Sequence, residues 1–190
     1  MARFVLYVGP MFSGKTTRLL AELDRYKYKN KRILLLKPDM DRRYFHSKIC
    51  THSGSVADGV GVNNITEIAS LNPFDYDVIA IDEAFMIPNI DQMAISLYSQ
   101  GKIVLISSLD LSSSLLPFPE ISRMMPYATE ICKCNAVCGV KNCYQNAFLT
   151  YKIEGVGKKD SGEIEIGGAE MYEPRCCLHH PILASFKHLS

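Results

Sequence analysis

Residues 9–17 read Gly9-Pro10-Met11-Phe12-Ser13-Gly14-Lys15-Thr16-Thr17 and decide the fold. They stand between the apolar run 4–8 and a periodic apolar segment, 19–26. This is the G-x-x-x-x-G-K-[ST] pattern, in which a glycine-containing turn directs backbone N–H groups at a polyphosphate on a helix N-terminus. Lys15 would reach the outer phosphates and the Thr16 hydroxyl would bind magnesium. The pattern predicts that the chain binds a nucleoside triphosphate.

Four short apolar runs predict the strands of a sheet. The runs after the first are 33–36, 77–83 and 103–106. Helices are predicted over about 15–28, 90–99 and 121–125. Runs that are apolar on both faces are typical of buried parallel strands, and Pro38 is expected to end the second strand because proline cannot extend a central strand. The pattern predicts an α/β fold, a phosphate-loop domain with a parallel sheet.

Two carboxylates, Asp82 and Glu83, close the third run. An enzyme with this phosphate loop needs an acidic residue at the C-terminal edge of its sheet, beside the magnesium. Adjacent side chains on a strand point in opposite directions, so the two can take different roles. We assign Asp82 to magnesium and Glu83 to the base that accepts the proton of the attacking hydroxyl. The alternative is that both are solvated residues at a strand end.

Length and composition limit the class of protein. The 190 residues are 47% hydrophobic and 22% charged, and no apolar run approaches the length that spans a bilayer. The net charge of +1, without a long basic run, gives no reason to expect polymeric nucleic acid as a partner. We expect a cytoplasmic protein whose partners are small molecules, with no membrane contact.

Six of the seven cysteines crowd the last third of the chain, which in a reducing compartment favours a metal over disulfides. Three short-range pairs are available, Cys134-x3-Cys138, Cys138-x4-Cys143 and Cys176-x2-His179. Tetrahedral zinc needs two such pairs, and would stabilise a small lobe with little core of its own. Buried free thiols are the alternative, and spacing alone leaves open which four residues bind.

The segment 39–65 has little periodicity and is interpreted as a loop with one short strand. Arg42 and Arg43 within it are candidates to neutralise the transferring phosphoryl group. Beyond Tyr127 the sequence changes to short strands, cysteines and glycines. We therefore predict two units, an ATP-binding α/β domain over 1–128 and a zinc-binding lobe over 129–190.

With these residues in hand, the chain resembles the zinc-containing thymidine kinases of vertebrate cytosol, many bacteria and large DNA viruses. The likeness covers nearly the whole chain. Its landmarks are 9–16, Lys37-Pro38, Asp41-Arg42-Arg43-Tyr44, Asp82-Glu83-Ala84, Leu109-Asp110 and 166–176. The resemblance implies transfer of the γ-phosphate of ATP, with Mg2+, to the 5′-hydroxyl of a pyrimidine deoxynucleoside. It also implies a homotetramer.

The resemblance assigns roles residue by residue. Catalysis is assigned to Glu83, Lys15 and Arg43. Nucleotide and magnesium contacts are assigned to Gly9, Pro10, Met11, Phe12, Ser13, Gly14, Lys15, Thr16, Asp41, Arg42, Arg43, Asp82, Glu83, Ala84 and Phe85. Nucleoside contacts are assigned to Met11, Met86, Leu109, Ser113, Phe118, Glu163, Ile164, Glu165, Ile166, Gly167 and Tyr172, of which 163–172 form the loop that closes over the base. The zinc ligands are assigned to Cys138, Cys143, Cys176 and His179.

The chain departs from the family pattern at the base pocket. Met86 and Ser113 stand where the family has aromatic residues, while Phe118 is retained. Glu165 replaces an apolar residue in the closing loop, and the first zinc pair is spaced x4 rather than x2, which leaves Cys134 as a substitute ligand. An aromatic wall contributes about 1 to 3 kcal/mol of stacking. We hypothesise a reshaped pocket that binds thymidine weakly or prefers a modified pyrimidine deoxynucleoside.

Three alternatives accompany this interpretation. A kinase of another small acceptor would ordinarily show an arginine-rich lid, which is not evident here. An ATP-dependent switch with a nucleic-acid-binding zinc ribbon is disfavoured by the near-neutral charge. The third is a family member whose altered pocket has lost activity.

Overall fold

The computed structural model describes residues 2–39, 48–50, 56–153 and 169–185. The strands are β1 (Arg3–Val8), β2 (Ile33–Pro38), β3 (Lys48–Cys50), β4 (Val56–Asp58), β5 (Val60–Val62), β6 (Val78–Ile81), β7 (Ile103–Ser108), β8 (Glu130–Lys133), β9 (Ala136–Val137), β10 (Asn146–Ala147), β11 (Leu149–Lys152) and β12 (Tyr172–Arg175). The helices are α1 (Lys15–Tyr28), α2 (Ile65–Ser70), α3 (Ile90–Ser99), α4 (Pro119–Met124) and α5 (Pro181–Ser185). Three 3-10 helices occupy Pro73–Asp75, Ala84–Met86 and Met125–Tyr127.

Six strands form one sheet in the order β5-β2-β6-β7-β1-β8, with every neighbouring pair parallel. The two central pairings with β7 align Phe4 with Val104 and Ile79 with Val104. This confirms the predicted α/β class. It also brings the carboxyl ends of β1 and β6 to the same edge, where a parallel sheet binds its ligands.

Helices cover both faces of the sheet, as continuous apolar strands require. On one face, α3 and α4 pack buried side chains such as Leu97 and Met124 against Leu6 and Ile79. On the other, Leu19 and Leu23 of α1 pack against alternate residues of the same strands. The phosphate-loop helix is therefore fixed to the sheet by its apolar side.

Two local expectations about strand ends were wrong. Strand β2 continues through Pro38 instead of ending before it. Its pairing with β6 stops at Leu36, and Pro38 pairs only with Val62 of β5, so the missing proline N–H interrupts no ladder on the β6 side. Strand β6 ends at Ile81 rather than at Glu83. The loop expected to hold one short strand contains β3 and β4, paired antiparallel, and β5.

The last third of the described chain forms two small antiparallel ribbons, β9 with β10 and β11 with β12. Strand β8 precedes them and pairs with β1 in the large sheet, although residues 130–133 fall in the lobe predicted from 129 onward. The division into two units stays a prediction. Across the residues that the structure describes, no helix combines the length and apolar character needed to cross a membrane.

Candidate active site

The phosphate loop runs from the end of β1 into α1 and is closed on itself by two hydrogen bonds. Ser13 Oγ and Lys15 Nζ both donate to the carbonyl oxygen of Pro10, at 2.8 and 2.7 Å. Gly14, at φ +73°, is the N-cap of α1, and a residue without a side chain leaves the first-turn N–H groups facing the loop. The loop thus has the concave, donor-lined form that binds phosphate.

Lys15 is buried inside this loop. Burial lowers the pKa of its ammonium group, against the negative charges of Glu83 and Asp82 nearby, which raise it. A buried cation flanked by donors is stabilised by an anion, because the anion replaces the hydration that burial removes. The environment of Lys15 therefore favours an anionic ligand such as a phosphate group.

Thr16, the second residue of α1, contacts Asp82, which directly follows β6. Thr16 Oγ1 lies 3.0 and 3.1 Å from the two carboxylate oxygens of Asp82. Asp82 is buried, and burial together with the charge of Glu83 raises its pKa to about 7. Thr16 and Asp82, which the sequence analysis assigns to magnesium, are thus in contact, and their role as its ligands stays a prediction. A hydroxyl and a carboxylate are hard oxygen ligands of the kind that magnesium takes.

Glu83 follows Asp82 but is not on a strand. Its backbone is left-handed, with φ +49° and ψ +43°, and it precedes the 3-10 helix Ala84–Met86. The argument from strand alternation was therefore wrong, because neither carboxylate lies on the strand and the chain turns at Glu83. A non-glycine residue in this conformation is strained by about 1–3 kcal/mol, and such strain occurs often at functional sites. Glu83 is half-buried.

Beside this turn, two predicted site residues contact each other. The rings of Phe85 and Phe118 lie 4.6 Å apart between centroids, tilted by 45°. The backbone N–H of Phe85 donates to Ser108 Oγ at 3.1 Å, which fixes the turn to the end of β7. The loop from Leu109 to Phe118 is closed by a bridge between Leu111 and Pro117. Met86, Leu109 and Ser113 are half-buried in these segments.

The four predicted zinc ligands come together from two parts of the chain. Cys138 and Cys143 follow β9, and Cys176 and His179 follow β12. Their ligand atoms all lie within 4.8 Å of one another, with His179 Nδ1 at 3.6 Å from Cys138 Sγ and 3.3 Å from Cys176 Sγ. Tetrahedral zinc with bonds of about 2.1–2.3 Å would set such atoms about 3.5–3.8 Å apart. The donor set fits a closed structural zinc site.

The surroundings of Cys134, the candidate substitute ligand, differ from those of the four-residue cluster. Burial raises the pKa of Cys138, but the backbone donors at Cys176 and Val140 and the side chain of His179 outweigh it and lower that pKa to about 6. Burial raises the pKa of Cys134, which is packed with Val5 and Leu19 on the α1 face of the sheet. Cys134 is not among the described residues whose ligand atoms come together, and so it lies apart from the four-residue cluster.

The second lobe touches the phosphate loop at three points that sequence reasoning missed. Thr150 Oγ1 accepts a hydrogen bond from the backbone N–H of Met11 at 3.1 Å. Phe12 packs against the apolar side of the cysteine cluster. Gly9, at φ +151°, lies against the carbonyl group of Cys134. No sequence signal marks the Thr150 contact, because its partners are 139 residues apart.

Several predicted site residues lie outside the described residues: Asp41, Arg42, Arg43, Glu163, Ile164, Glu165, Ile166 and Gly167. Their roles stay predictions. Tyr172 is described, half-buried at the start of β12. The described part of the site therefore consists of the phosphate loop, the acidic turn, the aromatic pair and the cysteine cluster.

Comparison with known proteins agrees with this arrangement. A family model described as thymidine kinase matches residues 2–180. A thymidine kinase of Pyrobaculum aerophilum is 36% identical over 183 residues, which are 94% of this chain and 98% of that protein. A thymidine kinase of Rabbit fibroma virus is 33% identical over 172 residues, 90% of this chain and 92% of that protein. The chain therefore belongs to the thymidine kinase family and is a thymidine kinase-like phosphotransferase that acts on nucleosides.

Proposed function

We propose that the enzyme transfers the γ-phosphate of ATP to the 5′-hydroxyl of a pyrimidine deoxynucleoside, giving the monophosphate and ADP. The observation that carries the proposal is the contact of Thr16 with Asp82 at 3.0 and 3.1 Å, with Glu83 next in the chain. It joins a phosphate-binding loop to an acidic turn at one edge of the sheet. Phosphoryl transfer needs positioning, charge neutralisation and a base, and this edge offers each of them.

The residues at this edge fit magnesium. Thr16 and Asp82 would hold it, and it would neutralise charge on the phosphate oxygens. The burial that raises the pKa of Asp82 supports this assignment, because a buried carboxylate beside a second acid is stabilised by a cation. Without a cation, the same two carboxylates repel each other.

Groups of the protein would neutralise the remaining negative charge on the phosphates. Lys15 is the first residue of α1, and the N–H groups of the first helical turn would supply further donors to the phosphates. Arg42 and Arg43 remain proposed as further cations for the transferring group.

Glu83 is proposed as the base for the 5′-hydroxyl. Glu83 has a left-handed backbone directly after Asp82, and we propose that this turn lets one carboxylate serve the metal and the other an acceptor. Strained backbone of this kind occurs often at functional sites. We propose that the conformation is retained because it aims this carboxylate.

The base pocket is proposed to lie by the Phe85–Phe118 pair, with Met86 and Ser113 in place of aromatic walls and Tyr172 beside the sugar. The aromatic pair supports a planar ligand, which stacks on rings of this kind. Fewer aromatic walls leave more room at the base edge. The pocket should therefore accept a modified pyrimidine deoxynucleoside at least as well as thymidine.

The first test is phosphorylation of a nucleoside panel by wild type and Glu83→Gln with ATP and magnesium. The expected result is that one pyrimidine deoxynucleoside is phosphorylated and that the variant loses about 100-fold or more in kcat with nucleotide affinity unchanged. Glu67→Gln is the matched control, since the Glu67 carboxylate accepts from the backbone N–H of Asn63 at the start of α2 and its replacement still accepts hydrogen bonds. Retention of activity within a few-fold in Glu83→Gln would remove the base assignment.

The same panel tests substrate choice. A preference for a 5-substituted analogue over thymidine in kcat/KM supports the reshaped pocket, and a clear preference for thymidine contradicts it. ATP binding without phosphorylation of any nucleoside would move the acceptor outside this class.

We also propose that the enzyme works as a cytoplasmic homotetramer, as the resemblance implies. Light scattering of the purified chain should then give about four times the 21.3 kDa chain mass. A monomer mass at micromolar concentration would contradict it.

A further inference from the structure

We propose that the cysteine–histidine cluster positions the phosphate loop, so that metal binding and nucleotide binding strengthen each other, and that Thr150 and Phe12 carry this coupling. The inference rests on the proposed function, because it requires that the loop bind a nucleotide. It gives a positioning role to Thr150, which is outside the residues assigned to nucleotide contacts, and to Phe12, which is among them.

The first connection runs through Thr150. Thr150 is 3% exposed, and its Oγ1 accepts a hydrogen bond from the backbone N–H of Met11 in the middle of the phosphate loop. The loop's function depends on where its N–H groups point. By taking the Met11 N–H, Thr150 fixes one peptide plane of the loop, and hence the direction of the neighbouring groups.

Thr150 is in turn held by the metal-binding turn. His180 is 1% exposed and its Nε2 lies 3.3 Å from the carbonyl oxygen of Thr150. His180 directly follows the predicted ligand His179, and both residues donate backbone hydrogen bonds to the carbonyl of Cys176, at 3.0 and 3.1 Å. The chain of contacts from the ligands to Met11 therefore passes through one imidazole and one threonine.

The second connection is direct. Phe12 packs against the buried cluster that contains the predicted ligands Cys138 and Cys176. Its backbone is left-handed, at φ +63°, a conformation that a residue with a bulky side chain holds only when its surroundings support it. The packing against the cysteine cluster is one such support.

Loss of the metal would release the ligands from one another and remove the support of Phe12 and His180 together. The loop would then spend less time in its binding conformation, and nucleotide affinity would fall. Because coupling between two sites is reciprocal, bound nucleotide must raise the equilibrium affinity for the metal by the same factor. A factor of about ten is expected, within the usual 5- to 150-fold range.

The experiment uses the full chain loaded with zinc. Calorimetry first measures binding of a non-hydrolysable ATP analogue with magnesium, and equilibrium competition with a chromogenic chelator then measures the zinc affinity with and without the analogue. Wild type should bind zinc about tenfold more tightly when the analogue is bound. Thr150→Val should reduce this factor below about three and weaken analogue binding, while Thr150→Ser, which keeps the hydroxyl, should retain both.

The matched control is Thr129→Val. Thr129 Oγ1 also bonds backbone, accepting from the N–H of Phe4 at 2.9 Å, but it does so away from the loop. This variant should lose stability and keep the wild-type coupling. If Thr150→Val does not fold, the wild-type measurement and the variant Phe12→Leu test the proposal instead. Phe12→Leu should also lower the coupling factor between zinc and the analogue.

The outcomes separate the two proposals. Failure of wild type to bind the analogue overturns the proposed function, and with it the coupling. Binding of the analogue with no change in zinc affinity overturns the coupling alone, as does a Thr150→Val protein that retains the wild-type factor.

Discussion

Gly9 begins the phosphate loop at a point where the second lobe leaves no space. Its φ is +151°, and a methyl carbon built on it would stand less than 3.0 Å from the carbonyl oxygen of Cys134. Further neighbours are the carbonyl carbon of Cys134 at 3.1 Å and Ser13 Oγ at 3.3 Å. The backbone of Cys134 cannot move aside freely, since its N–H donates to the carbonyl of Val8 at 2.7 Å. Gly9→Ala therefore forces two backbones apart.

The size of the effect follows from two contributions. The backbone conformation alone costs an L-residue about 1–3 kcal/mol. Restoring a normal carbon–oxygen contact of about 3.3 Å requires a displacement of roughly 1 Å, and a displacement of that size at a catalytic site costs about 100-fold in rate. We expect Gly9→Ala to lose about 2–4 kcal/mol of stability and about 100-fold in kcat/KM for ATP.

Gly101→Ala is the matched control. Gly101 also has a positive φ, +85°, but a Cβ there meets no atom within 4 Å, and it lies after α3, away from the site. This variant should cost about 1–2 kcal/mol in denaturant unfolding and leave kinetics unchanged. If the two variants lose the same stability and Gly9→Ala keeps its activity, the close contact does not constrain the loop and the reasoning fails.

Three further predictions concern the metal cluster, the acidic turn and the pocket. Cys138→Ser should lower the zinc content below half an equivalent per chain and reduce Tm. The control Cys177→Ser changes an exposed neighbour of the cluster and should keep one zinc. Equal zinc content in the two variants would refute the ligand assignment. Asp82 has a folded-state pKa of about 7 against 3.8 when unperturbed, so its stability contribution is full below pH 4 and is lost as pH rises through 7. At pH 8 without added magnesium, Asp82→Asn should therefore have a free energy of unfolding up to about 4 kcal/mol higher than that of wild type, and near pH 4 the two values should be equal. The variant should be inactive. A difference in urea unfolding that does not depend on pH would count against this. Ser113→Phe should raise kcat/KM for thymidine about tenfold by restoring a stacking wall, and an unchanged value would argue against a reshaped pocket.

The elements nearest the phosphate loop were predictable because their signals are local and redundant. Strand β1 is apolar on both faces, the motif after it fixes a strand-to-helix turn, and Leu19 and Leu23 give α1 one buried side. The same reasoning located α3 and β7. Parallel pairing followed from alternation of strands and helices, so the sheet could be anticipated without any long-range information.

The ends of strands were less predictable, because pairing on one side cannot be seen in sequence. Pro38 was expected to stop β2, but only the β5 side of the strand is paired there. The run ending in Asp82 and Glu83 reads as a continuous strand, whereas the chain turns at Glu83 into a left-handed conformation. A strained residue contradicts its own local preference by definition, so propensity cannot find it.

The spacing of the cysteines predicted a metal site but did not identify its four ligands. Spacing left Cys134, Cys138, Cys143, Cys176 and His179 as candidates, and the family likeness selected four of them. The structure excludes Cys134 because β8 carries it into the sheet. Thr150 and His180 had no signal at all, since their importance lies in contacts with a loop at the other end of the chain.

Strand β8 has a consequence for how this protein can be divided. It covers the outer edge of β1, pairing Val5 with Glu130 and Val8 with Lys133, and the chain passes from it into the cysteine-bearing ribbons within two residues. A truncation at 128 would remove those ribbons and also uncover the backbone of the strand that leads into the phosphate loop. An exposed, apolar parallel edge of this kind invites pairing between molecules. A piece of the chain that keeps this six-stranded sheet intact must therefore extend through Lys133, past the predicted boundary at 128.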